Sequence, residues 1–499
     1  MAINSQNPLM LSPMLVVVVV LLLLVLLLHL HPTVGDSEDY NQRHPHSTPM
    51  MIPEVNRTGN SKKALHAFQK KNNLVLTKLI IISRHGHRAP NAPYWDLCPS
   101  DKENRRKYNV DAEDLTALGM KEVYDFGEYV RHRYRHFIGR RFNRSLHFFR
   151  AVGEPRILQS AVAMSQGLFP DGFGPGGFLP SRPQFVPVFA DMDTHEYLLD
   201  NVPCFRRAEQ DVHHWINNSM EAFMQDANVI EVVRYMKKVC GYKDKAAAVT
   251  AGVKKRPLYA FIKTVADGMT FNADYGLHVC GGRVTPEMLF KIRNISLQLL
   301  IARLYHTDEQ QTYTAVDLPL RILRLLHHRN PPNQENLNDF VDTRQEATFY
   351  FVHREALYAL AQFFGFSYSV AGLPQGELPV ASSLILEKLE PAENFKKVEK
   401  TPSNTNTDDT ANGGSNSDSN NSADNEMVGE RSKTAYVKFI LWTPNDGTST
   451  VEISRCSIPQ LCTVDELQRI YTERVKRTGT WDKLCNYTFS ELDHNTDIR

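Results

Sequence analysis

The 499-residue chain has no surplus charge of either sign: 57 Lys and Arg stand against 56 Asp and Glu, a net of +1. Without a basic excess there is no electrostatic ground for a nucleic-acid partner. Cysteine is sparse, with seven residues: Cys98, Cys204, Cys240, Cys280, Cys456, Cys462 and Cys485. Their spacing is not that of metal ligands, so a zinc site is not expected. No tandem repeat is evident. Long hydrophobic runs are missing except for one, Leu15 to Leu28, which is almost pure Val and Leu. Its length falls short of the roughly 20 residues of a membrane span and suits the apolar stretch of a signal peptide. Thr33, Val34 and Gly35 offer small residues for cleavage before Asp36. Neither Lys nor Arg precedes the run, which leaves an uncleaved type II anchor open as the alternative. The last residues, His494 to Arg499, are not an endoplasmic-reticulum retention signal. Sequons at Asn56, Asn143, Asn217, Asn294, Asn420 and Asn486 fit a glycosylated chain of the secretory pathway, extracellular or lysosomal.

What the sequence does have is a basic loop after a buried strand. Leu79-Ile80-Ile81-Ile82 leads into Arg84-His85-Gly86-His87-Arg88-Ala89-Pro90. Two guanidinium groups from one loop can hold phosphate oxygens bidentately. A neutral imidazole nitrogen between them can attack phosphorus and divide the reaction into two easier steps. Gly86 would let the backbone approach the anion, and Pro90 would stiffen the exit. The competing reading is a solvated basic loop with an incidental histidine. The full pattern directly after a strand argues against it.

The segment resembles the signature of the histidine acid phosphatases, the acid branch of the histidine phosphatase superfamily. The resemblance implies that His85 is the nucleophile and that Arg84 and Arg88 hold phosphate. Leu115-Thr116-Ala117-Leu118-Gly119 is similar to the family's Leu-Thr-x-x-Gly segment, with Thr116 placed to cap a helix. Met120, Val123, Tyr124, Gly127 and Val130 follow at helical spacing and predict a core-facing stripe. Leu146 to Phe149 reads as a second buried strand. The stretch from Arg150 to Pro170 is similar to the segment that brings a third phosphate-binding arginine, a role the resemblance gives to Arg150. Arg156 is then expected to be a structural ion-pair partner.

The second half departs from the pattern. The family carries a strand followed by His-Asp, the aspartate protonating the leaving oxygen. Here Thr348 to Val352 is followed by His353-Arg354-Glu355. Ala356 to Phe364, Gly365, and Leu378 to Ser383 fit the downstream pattern, so His353 carries over to the phosphate site. Arg354 stands at the aspartate position, and arginine does not release its proton near neutrality. Three readings stay open. Glu355 acts as the acid, as in branches with His-Ala-Glu, which requires burial to raise its pKa. Alternatively, the enzyme has no acid and cleaves only esters with good leaving groups. Finally, the chain is a pseudophosphatase that holds phosphorylated ligands. An inositol polyphosphate phosphatase is a narrower enzymatic alternative.

The implied architecture is α/β, a doubly wound core like that of phosphoglycerate mutases, with an inserted, mostly helical cap. The implied reaction is hydrolysis of small-molecule or protein phosphate monoesters through phospho-His85, with no cofactor or metal. Acidic pH would favour a protonated His353 and a neutral acid at some cost to the nucleophile. Dimers are common in the family, and a homodimer is an expectation for this chain. Along the chain, residues 1–35 form the signal or anchor, 36–73 a polar stem and 74–190 the first part of the core. Residues 191–345 form the cap and 346–393 the second part of the core. A low-complexity insert of Asn, Ser, Asp, Thr and Gly occupies 394–433, too poor in apolar residues to offset its ordering entropy. Residues 434–499 end the core. Within this frame, Pro183 to Phe189 is expected as a short strand, and glycine-rich 171–180 as a loop. His195, His213-His214 and His327-His328 are expected to be surface or core residues and not metal ligands. The resemblance suggests the disulfides Cys204–Cys485 and Cys456–Cys462. A third, Cys240–Cys280, is expected as a replacement for a bridge lost at Ser383, leaving Cys98 unpaired.

Overall fold

The computed structural model describes residues 69–191, 196–242, 255–327, 345–392 and 434–488. The hydrophobic run at 15–28, residues 36–68 of the stem, the insert at 394–433, Asn56, Asn420, His195 and His328 lie outside these residues.

The sheet is built on β1 (Leu74–Arg84), whose Leu79, Ile80, Ile81 and Ile82 are fully buried. A strand covered on both faces needs a continuous apolar run, which is what the sequence supplies. The other strands are β2 (His147–Ala151), β3 (Ala347–Val352), β4 (Ser383–Pro391), β5 (Tyr436–Thr443), β6 (Gly447–Thr450) and β7 (Cys462–Thr463). Their order is β2-β3-β1-β4-β5-β6, with β7 beside β5. β1, β2 and β3 are mutually parallel, whereas β4 runs antiparallel to β1 and β5 antiparallel to β4. In register, Arg84 lies beside Val352. The chain therefore leaves β1 and β3 at the same sheet edge, where ligands of open α/β sheets bind.

Two helices, α1 (Ala117–Arg133) and α2 (Pro155–Leu168), pack together beside this core. The predicted core stripe of α1 is partly corrected. Val123, Gly127 and Val130 are buried, but Met120 and Tyr124 are 40% and 38% exposed, and Phe126 is buried in their place. The buried arc is Gly119, Val123, Phe126, Gly127 and Val130, rotated from the expected one by about one residue. The expected strand at 183–189 is not one: its sole ladder contact is a bridge between Phe189 and Arg150.

The insertion contributes α3 (Phe205–Asn218), α4 (Ala227–Cys240), α5 (Lys255–Asp274), α6 (Pro286–Leu304) and α7 (Leu318–His327). Helices α3 to α6 surround a second apolar cluster that includes Tyr94, Trp95, Trp215, Met236, Phe261 and Leu299. After β3 comes α8 (Arg354–Phe364), closed by Gly365 in the left-handed conformation, and α9 (Val464–Thr478) follows β7. No described helix is long and apolar enough to cross a membrane.

Cys204–Cys485 and Cys456–Cys462 are bonded. The third bridge is Cys98–Cys240, not Cys240–Cys280. Cys280 is free and buried, with its sulfur 3.5 Å from that of Cys98. Three cysteines far apart in sequence converge in the cap, and only two of them can bond. The same trio lies within metal-ligand distance, but two of its sulfurs are spent in the disulfide. Asn143, Asn217 and Asn486 are exposed and Asn294 is half-buried.

Candidate active site

The loop after β1 is pinned to the N-terminus of α1. Thr116 caps that helix, its Oγ1 accepting the Gly119 N–H at 3.1 Å. It also donates to the His87 carbonyl at 3.1 Å. The His87 ring is held at 2.9 Å by both Thr116 Oγ1 and the Phe271 carbonyl. A Cβ on Gly86 would sit 2.1 Å from the Gly119 carbonyl oxygen, and one on Gly119 would sit 2.1 Å from that of His87. Gly86 thus permits a close approach of loop to helix, a purpose different from the expected approach to an anion.

His85 emerges at the floor of a cavity of about 570 Å³ lined by both the sheet edge and the inserted helices. Its Nδ1 lies 2.8 Å from the Gly86 carbonyl. A carbonyl only accepts, so Nδ1 carries the hydrogen and Nε2 keeps its lone pair. Burial, reinforced by Arg84, His353 and Arg88, pushes the imidazole pKa well below its ordinary value. The His85 carbonyl accepts the Ala381 N–H at 2.9 Å, which ties the loop to the segment before β4.

His353 follows β3 at the position just before α8, and its ring lies 5.8 Å from that of His85, nearly perpendicular. Both rings line the cavity with Arg84 and Arg88. Arg84 donates to the Leu378 carbonyl at 2.7 Å. Arg88 stacks over Phe271 at 4.3 Å and pairs with Asp267 at 2.9 Å.

Two expected site residues need correction. Arg150 does not line the cavity; its guanidinium pairs with Asp191 and with buried Glu196. Arg156 does line it, close enough to Arg88 to disfavour that residue's charge. Its position on α2 explains the exchange. Arg150 belongs to β2, where its side chain is directed to the segment ending at residue 196. Arg156 sits in the first turns of α2, which begins at the sheet edge. The signal available in sequence was a helix start, Glu154-Pro155, with proline at the first helical position.

The second correction concerns Glu355. It lines the cavity, but its carboxyl is not raised. Burial alone would raise it, yet Arg354, His353 and Arg303 outweigh burial and bring the pKa to about 2. The condition for Glu355 to donate a proton is not met. Arg354 is half-buried, 3.4 Å from Glu355 and 3.5 Å from Asp267, and remains firmly cationic. Sequence reasoning also missed Glu154. Its carboxylate accepts from His353 Nε2 at 3.2 Å and pairs with Arg156, and the contact with His353 holds its pKa low. The histidines at 213, 214 and 327 do not line this cavity.

Residues 75–253 match the profile of the histidine phosphatase superfamily (branch 2). Prostatic acid phosphatase of Homo sapiens is 24% identical over 264 residues, 51% of this chain and 61% of that protein. Lysosomal acid phosphatase of Xenopus laevis is 32% identical over 120 residues, 24% of this chain and 27% of that protein. The chain thus spans about three fifths of the prostatic enzyme's length in the first match and less in the second. The phytase of Citrobacter braakii superposes with a TM-score of 0.57 at 14% identity, covering 80% of this chain and 97% of that one. Hafnia alvei phytase in complex with myo-inositol hexakis sulphate gives 0.58 at 13%, covering 82% and 98%. At such identities the likeness is one of fold, here an α/β core with a helical insertion. Profile and relatives agree with the histidine-centred loop: residues 75–253 of the chain match the histidine phosphatase superfamily (branch 2), and the relatives they resemble are acid phosphatases.

Proposed function

We propose that the protein hydrolyses phosphate monoesters through a phosphohistidine formed on His85. The observation that carries this reading is the state of His85: neutral, with Nδ1–H committed to Gly86 and Nε2 unprotonated in a cavity lined by five arginines, Arg84, Arg88, Arg156, Arg303 and Arg354. Nε2 attacks phosphorus, the ester P–O bond breaks, and the alcohol departs. Water then attacks the phosphorus, the P–N bond breaks, and inorganic phosphate is released. Arg84, Arg88, Arg156 and the Nε2–H of His353 stabilise the transferring phosphoryl group, which carries its charge on peripheral oxygens. The depressed basicity of His85 keeps the nucleophile available in acid, which removes the cost that acidic pH would otherwise impose. The seven cysteines and the sequons support action in the secretory pathway.

A second reading is a protein that binds phosphorylated ligands without turning them over. It is favoured by Arg354 at the usual acid position and by the low pKa of Glu355. The deciding experiment uses the full chain from a secretory host, with an aryl and an alkyl phosphate at about pH 5 and His85→Ala as control. Release of phosphate that disappears in the control, with a phosphoenzyme trapped on His85 by rapid acid quench, supports the enzyme. Silence from folded protein on both esters favours the binding reading.

A further inference from the structure

We propose that Asp200, on the loop that leads into α3, is the proton donor to the leaving oxygen, in place of the aspartate that Arg354 displaces. This assignment rests on the phosphatase reading above.

The argument begins with the carboxyl groups that line the cavity: Glu154, Asp200, Glu209, Asp267 and Glu355. A general acid must be protonated when substrate is bound, so a carboxyl locked to cations cannot serve. Asp267 is shared between Arg88 at 2.9 Å and Arg354 at 3.5 Å. Glu154 is tied to Arg156 and to His353. Glu355 lies against Arg354. Glu209 is exposed on α3. Among the described residues, Asp200 alone of the five is half-buried and in no ion pair. Its carboxylate accepts the N–H of Asn201 at 2.7 Å, a bond made by one oxygen that leaves the other for a proton.

The electrostatics of the loop agree with the geometry. Burial raises the Asp200 pKa, Glu355 and Glu154 raise it further, and His353 and the Asn201 N–H oppose them. Its electrostatic neighbours are therefore the residues that follow β3 and precede α2, and they line the same cavity as Asp200. The two anions at positions 154 and 355 acquire a purpose in this arrangement. They are acidic neighbours that add to burial in raising a third carboxyl, the logic by which adjacent acids divide acid and base roles.

The proton balance is simple. As His85 Nε2 attacks, the P–O bond breaks and the Asp200 O–H passes its proton to the departing alkoxide, leaving an alcohol, phospho-His85 and an Asp200 carboxylate. That carboxylate takes a proton from the attacking water, the P–N bond breaks, and Asp200 returns to its acid form.

The test is Asp200→Asn, an isosteric change that retains an acceptor for the Asn201 N–H. It is measured on the full chain against 4-nitrophenyl phosphate and a simple alkyl phosphate, with unfolding temperature as a check on folding. An aryl leaving group needs no proton, and kcat/KM reports only the step that forms phospho-His85, so kcat/KM for the aryl ester is expected to change less than about threefold, while that for the alkyl ester falls about 100-fold or more. Asp200→Glu is expected to restore part of the alkyl activity. Equal losses on both esters, or no loss on either, would overturn the assignment. A wild-type protein that cleaves only the aryl ester overturns it too while leaving the nucleophile in place. Wild-type silence on both esters overturns the phosphatase reading, and this assignment with it.

Discussion

Glu154 Oε1 accepts a hydrogen bond from His353 Nε2 at 3.2 Å, across the mouth of the cavity that holds His85. An ionised carboxylate here competes with any incoming phosphate for His353 and for Arg156. Replacing it by Glu154→Gln removes the competing charge and keeps a hydrogen-bonding group. Inhibition by inorganic phosphate is expected to tighten by about tenfold, the worth of one charge-assisted bond. A steady-state inhibition constant at fixed pH reads the change, and a weaker phosphate interaction would contradict it.

Arg150 and Arg156 should fail in different ways. Arg156→Ala removes a phosphate ligand, and kcat/KM is expected to fall by about 10² to 10³ with little change in unfolding. Arg150→Ala strands Glu196, whose side chain is 1% exposed, and is expected to cost about 3–5 kcal/mol of stability. Denaturant titration alongside kinetics separates the two.

Stability should fall in acid because several histidines are buried in the neutral form. His147 packs between Phe142 and Phe169, and burial pulls its pKa down to about 4. Its unfolded value is near 6.5, so between pH 6.5 and about 4 the unfolded chain binds a proton that the folded chain refuses. Stability is present above 6.5 and declines as pH falls through that window, by about 3 kcal/mol from this group. His85 and His87 shift in the same direction. The unfolding temperature of the wild type should therefore drop from pH 7 to pH 4, and that of His147→Gln should drop less steeply.

Gly86→Ala places a Cβ against the backbone of Gly119, which cannot yield as a flexible side chain would. Overpacking of this kind costs about 1–3 kcal/mol or more. The variant is expected to unfold at a lower temperature and to lose most turnover, since the loop that carries His85 must move. Unchanged kinetics would contradict the close approach.

Cys280 should be silent to alkylating reagents in the native protein and react after denaturation. Burial pushes its thiol up to about 12, and reactivity belongs to the thiolate. Peptide mapping without reduction is expected to recover Cys98 joined to Cys240. Recovery of Cys240 joined to Cys280 would reverse that pairing.

The sequence by itself determined the strand that places His85, the cap at Thr116 and the strand–histidine–helix order around His353. These follow from local rules: an apolar run for a doubly covered strand, a hydroxyl before a helix, a glycine after one. Only the tertiary structure decided which arginine of the second βα unit reaches the cavity. Arg150 and Arg156 differ in the direction in which strand and helix project them, and no pattern along the chain records the packing of α2 against the sheet edge. The same holds for the third disulfide, since Cys98, Cys240 and Cys280 meet through the folding of the cap. It holds most for Glu355, whose protonation depends on Arg354, His353 and Arg303 brought together from separate elements. A carboxyl's charge state belongs to its surroundings, and those exist only after the chain has folded.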